Sequence, residues 1–273
     1  MRILIAVNGS QQTDTLTHFI AQIVRRSDEM PTLLDVIKDG IDRPPAKSSD
    51  TLIRIQELLR IPGLQIKTRI GDPIEEIIRE ARSGNYDLVI VSEQKTAHLA
   101  RLLMGSRDLL IAERAPCSVL VAKGRVGPIR RILLCDSGAE KSPTLVLFTA
   151  HLTQLLKGDE EVTVLHVMSQ ISAGPGVRGM QLRSDAEALI REKTPEGDLL
   201  IRNIQLLRQS GISPQTKIRH GIVVDEILGE ARNGNYDLVV IGSHYEDGWR
   251  HVLLDDLSRK IIAQLDRPVL VVK

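Results

Sequence analysis

Aromatic residues make up 2% of the 273 residues: one Trp, three Tyr and two Phe. Cysteine is almost as scarce. Cys117 and Cys135 stand alone without a CxxC spacing, so neither a disulfide framework nor a thiolate zinc site is expected. Charge of either sign is nearly balanced, 36 Lys and Arg against 35 Asp and Glu, leaving +1. That supplies no basic field for nucleic acid and no acidic tail for a cationic partner. The longest apolar runs, such as LVIV and VLVVK, fall far short of the roughly 20 residues that span a bilayer. The expectation is a soluble, unexported, cytoplasmic protein with no membrane and no nucleic-acid partner.

What the chain has instead is a repetition. EARSGNYDLVIV from Glu80 returns as EARNGNYDLVVI from Glu230. RILIAVNGS at Arg2 faces RILLCDSG at Arg131, and CSVLVAK at Cys117 faces RPVLVVK at Arg267. The early parts align at an offset near 129 and the late parts at 150, so the second copy carries about twenty extra residues. They fall in 169–200, rich in glycine before a helix-like run, which reads as a loop with an extra turn of helix, either a lid or a decorative insertion. Two domains follow, 1–125 and 129–273.

Each copy alternates short β-branched runs with helical patterns. Strands are expected at 3–7, 33–37, 64–70, 87–91 and 118–122 of the first copy. The apolar runs are near-continuous, as in parallel strands covered on both faces, so each copy reads as a doubly wound α/β domain. In GDPIEEI, Asp72 is placed to cap a helix, Pro73 suits its first position and Glu75 that of a capping-box carboxylate. Gly84 is expected to end that helix in the left-handed conformation. Tyr86 and Asp87 read as packing and turn residues. Ligands of such sheets settle beyond the carboxyl ends of the strands where strand order reverses. This points to the loops after strands one and four, and the copies diverge after strand four.

ILIAVNGS, GDPIEEIIREA, YDLVIV, RLLMGS and APCSVLVAK, in that order and spacing, resemble the universal stress protein family over both halves. The resemblance implies a tandem pair of five-stranded sheets, order 3-2-1-4-5, joined through their last strands. It also implies ATP binding in a subset, through an Asp after strand one and GxxG, nine residues, then G with Ser or Thr. Carried over, the first copy has Asn8 for the Asp and Ser92 and Lys95 for the paired glycines, then Gly105 and Ser106, with Arg107 following. The second keeps Asp136, Gly242 and Ser243, puts Tyr245 for the second glycine, and has Asp255 and Asp256 where Gly-Ser belongs. A carboxylate at a helix start satisfies the amides a phosphate would use, so the second site reads as structural.

The leading reading is a non-enzymatic stress-response or regulatory protein with degenerate nucleotide sites and no required cofactor. The alternative is an ATP or AMP sensor using the first copy. His244 and His251, near Glu246, Asp247, Asp255 and Asp256, are weak metal candidates, outweighed by a solvated polar loop. Trp249 reads as packing against its own domain. Partner expectations are pairing of the two copies within the chain, a homodimer of tandem chains and an unidentified protein; no residue specifies the last two.

Overall fold

The computed structural model describes residues 1–6, 13–38, 45–92, 107–136, 143–168, 185–243 and 256–273. The first copy runs β1 (Ile3–Ala6), α1 (Thr13–Val24), β2 (Thr32–Ile37), α2 (Pro45–Leu59), β3 (Gln65–Ile70), α3 (Pro73–Ser83), β4 (Leu88–Ser92), α4 (Arg107–Arg114) and β5 (Ser118–Ala122). The second runs β6 (Arg131–Asp136), α5 (Thr144–Leu155), β7 (Glu161–Met168), α6 (Ala186–Arg191), α7 (Pro195–Gln209), β8 (Gln215–His220), α8 (Val223–Asn233), β9 (Leu238–Gly242), α9 (Asp256–Gln264) and β10 (Val269–Val272). Within each copy the strands are parallel in the order 3-2-1-4-5, as the family resemblance implies. β5 and β10 then pair antiparallel, Leu120 opposite Leu270, which fuses the two halves into one ten-stranded sheet. Each last strand is apolar and would expose an unpaired edge alone, and pairing removes both edges.

One apolar layer packs helices α1, α2, α5 and α7 on one face of the sheet, and a second packs α3, α4, α8 and α9 on the other. The central strands are buried on both sides, which explains their unbroken Val, Ile and Leu runs.

The duplicated EARxGNYD acquires a complete physical account. Glu80 is buried at the end of α3, and its carboxylate accepts from Lys67 Nζ at 2.6 Å, Arg69 Nε at 2.9 Å and the Tyr86 hydroxyl at 3.0 Å. Burial pushes its pKa up, but these three donors outweigh burial and hold the carboxyl below its ordinary range. Glu230 repeats the arrangement with Lys217 at 2.7 Å, Arg219 at 3.0 Å and Tyr236 at 2.9 Å. Asp87 accepts from the Arg2 amide at 2.7 Å, and Asp237 accepts from the amides of Arg130 and Arg131 at 2.9 Å, so each turn pins the start of its first strand. Gly84 is right-handed, with φ −95°, contrary to the left-handed expectation; the left-handed residue is Asn85, φ 49°, and Asn235 matches it at 51°. Gly84 is needed for space, since a Cβ there would stand 2.1 Å from the Tyr86 ring. Asp72 caps α3 through the amides of Ile74 and Glu75 at 3.0 and 3.2 Å. The Glu75 carboxylate pairs with Arg114 at 2.8 Å.

The interface between the copies is tied by crossed lysines. Lys123 donates to the Ile262 carbonyl of α9, and Lys273 donates to the carbonyls of Glu113 and Ala115, at 3.1 and 2.5 Å, after α4. A cation at the negative end of a helix dipole is favourable, and each copy supplies it to the other. Arg259 of α9 also pairs with Glu113 of α4. Part of the expected 169–200 insertion is α6, capped by Asp185 and packed so closely on α7 that a Cβ at Gly197 would meet the Leu189 carbonyl at 2.3 Å. The expected lid loop, 169–184, lies outside the described residues.

Candidate functional site

Helices leaving strands one and four of each copy go to opposite faces, so a cleft opens between β1 and β4 and another between β6 and β9. At the first cleft Ser92 ends β4 and is buried, and Arg107 opens α4. Asn8, Lys95, Gly105 and Ser106 lie outside the described residues. Asp108, which motif reasoning passed over, is buried beside Arg107 in the first turn of α4. Its carboxylate already complements that helix start, so the contrast between a basic first site and an acidic second one is smaller than the motif implies. The signal was present in the sequence, as an acid in the first turn of a helix.

At the second cleft Asp136 ends β6 half-buried, Gly242 ends β9, and Ser243 follows with its backbone amide on the Val272 carbonyl at 2.8 Å. Among the described residues a Cβ at Gly242 would meet only Leu145, at an ordinary 3.8 Å, so they do not require glycine there. Asp256 opens α9, and the Ser258 hydroxyl, two residues on, donates to the Gly242 carbonyl at 3.4 Å, fixing that acidic helix start against the end of β9. Asp255, His244, His251 and Trp249 lie outside the described residues. Among the described residues no group of three or more His, Cys, Asp or Glu side chains could hold a metal.

Register places Asp136 differently from its motif alignment. Ile3 pairs with Leu88 and Ile132 with Leu238, so Ile3 and Ile132 are equivalent, and Asp136 corresponds to position 7 rather than to Asn8. Alternation then puts its carboxylate on the face carrying Ile132 and Leu134, where the Asn203 amide of α7 donates to Oδ2 at 2.8 Å. His166 pairs in register with Asp136 and leaves the sheet on that same face. Sequence reasoning missed His166 and Asn203, both buried polar residues within otherwise apolar patterns.

Both thiols are held in the protonated, weakly nucleophilic form. Burial pushes Cys117 up to about 11, and burial followed by the nearby Asp136 and Glu230 carboxylates pushes Cys135 well above the usual thiol range. Both therefore stay protonated near neutral pH.

The profile of the universal stress protein family matches the chain twice, over residues 1–123 and 128–273. A universal stress protein of Mycolicibacterium smegmatis is 22% identical over 295 aligned residues, covering 99% of this chain and 96% of that one. A universal stress protein of Methanocaldococcus jannaschii is 29% identical over 125 residues, 42% of this chain and 77% of its own. Among solved structures, a universal stress protein from Archaeoglobus fulgidus superposes with a TM-score of 0.69 at 18% identity, over 100% of this chain and 96% of that one. No described helix is long and apolar enough to cross a membrane. With two family matches end to end, and one five-stranded unit of order 3-2-1-4-5 beneath each, the chain belongs to the universal stress protein family as a tandem of two of its domains.

Proposed function

We propose that the protein is a cytoplasmic stress-response or regulatory protein that acts by binding rather than by catalysis, with the family's nucleotide site degenerate in both copies. The observation that carries this reading is the start of α9. Asp256 aligns with the motif's hydroxyl residue, and the Ser258 bond to the Gly242 carbonyl holds that acidic helix start against the end of β9, beside the loop a polyphosphate would enter. A negative charge at a helix N-terminus complements its dipole and repels phosphate. In the first copy the buried hydroxymethyl of Ser92 fills the position that Gly242 leaves open. Calorimetry with ATP and AMP, paired with an assay of ATP turnover, tests the reading. Two equivalents bound per chain, or turnover above background, would overturn it.

A second reading has one observation in its favour: Arg107 puts a guanidinium at the first residue of α4, where an anion would meet the helix N-terminus. It makes the first copy an ATP or AMP sensor. One equivalent bound, and lost in Arg107→Ala, would select it over the first.

A further inference from the structure

The second cleft is poor for phosphate, yet its polar groups are not all satisfied. The His166 side chain is 7% exposed, and among the described residues its Nδ1 has no hydrogen-bond partner. The hydroxyl oxygen of Ser243 is also buried without a partner among the described residues. Buried polar atoms are paired in the great majority of proteins, and an orphan marks a place where a ligand or water belongs. His166 is the register partner of Asp136 at the carboxyl end of β7, so its ring stands beside that carboxylate on one face, about 5 Å away across the sheet. Asn203 comes down from α7 onto the same carboxylate at 2.8 Å. The result is a half-exposed acid at the mouth with two buried polar side chains beneath it.

None of this is inherited from the common scaffold. Thr163 pairs with Leu133 as Thr32 pairs with Leu4, so the first-copy counterpart of His166 is Asp35. At the 150-residue offset fixed by β3 and β8, the counterpart of Asn203 is Ile53, an exposed apolar residue. The cluster thus belongs to the second copy alone.

We propose that this cleft binds a small organic cation, an amine or guanidinium with N–H donors, whose charge rests on Asp136 and whose donor reaches His166 Nδ1. The Asp136 carboxylate selects positive charge and rejects phosphate, and a neutral imidazole nitrogen accepts from a directed N–H; among the described residues no three His, Cys, Asp or Glu side chains gather to hold a metal ion instead. The inference concerns a different cleft from that of the nucleotide sensor reading and stands whether or not the first copy binds ATP.

The test is calorimetry of the full chain with agmatine, which carries a guanidinium at one end and an ammonium at the other. One equivalent per chain is expected, weakened at least about tenfold in Asp136→Asn, the factor that goes with one charge-assisted hydrogen bond. His166→Phe keeps the ring and its burial while removing Nδ1, and should weaken agmatine similarly. Thermal unfolding of each variant checks that it folds. The imidazole nitrogen signals of His166 in the wild-type protein should move on agmatine addition, a readout needing no variant. No heat at millimolar agmatine, an affinity unchanged in Asp136→Asn, or displacement of agmatine by AMP would each overturn the proposal. ATP titrated alone reads the first-copy question separately, so the two can fail independently.

Discussion

Glu80→Gln is the most informative single perturbation of the scaffold. The substitution preserves shape and an acceptor for the Tyr86 hydroxyl, but leaves Lys67 and Arg69 facing a neutral amide. Removing one member of a fully buried ion pair costs about 3–5 kcal/mol. Here the cations are not fully buried, with side chains 45% and 28% exposed, and water recovers part of their solvation. The expected loss is therefore about 2–3 kcal/mol, or roughly 5–10 °C in midpoint. Because the folded-state carboxyl is held below its ordinary range, its contribution is complete above that range and is lost as pH falls through the folded value. Urea unfolding of the wild type and the variant at pH 7, 5, 4 and 3 should show a gap that closes toward acid. Glu230→Gln should behave alike, and the double variant should lose the sum, since the networks lie in different halves. A gap below about 0.5 kcal/mol at pH 7, or one that does not change with pH, would refute the reasoning.

Glycine substitutions should split by environment: Gly84→Ala drives a methyl into Tyr86 and should destabilise by about 1–3 kcal/mol. Gly229→Ala, inside α8 with nothing within 4 Å, should stabilise by about 1 kcal/mol, both read by thermal unfolding. Burial holds the Lys273 ammonium down to about 8, against 10.5 for the unfolded chain, so the wild type should gain stability on Lys273→Met as pH rises between those values. The Cys117 thiol, held up to about 11 by burial, works in the opposite direction above pH 9 and is coupled to the Lys273 ammonium, so the difference is read between pH 8 and 9. A pH-independent difference would rule out a buried lysine at the α4 terminus. Arg259→Ala should lower stability by about 1 kcal/mol, with a similar loss in Glu113→Ala and no further loss in the pair, because one ion pair joins α9 to α4.

The sequence by itself determined the scaffold. Near-continuous Val, Ile and Leu runs, helix caps such as Asp72-Pro73 and the verbatim return of GNYD report backbone conformation and burial, which are local properties repeated by a duplicated chain. Even the antiparallel junction was legible, because two apolar last strands leave only one economical way to hide their edges. Motif alignment could not decide which side chains meet. Gly84 reads as a helix terminator, yet its role is fixed by the Tyr86 ring packed over it, and the left-handed turn passes to Asn85. Asp136 reads as the family's carboxylate, but register sets it one residue earlier, and strand alternation turns a one-residue shift into a change of face. Its partners, His166 and Asn203, stand 30 and 67 residues away, and neither carries a motif that would recruit it. Only the parallel pairing of β6 with β7 and the packing of α7 across them bring these three polar groups together, because such proximity is a property of helix placement over a sheet and leaves no period in the chain.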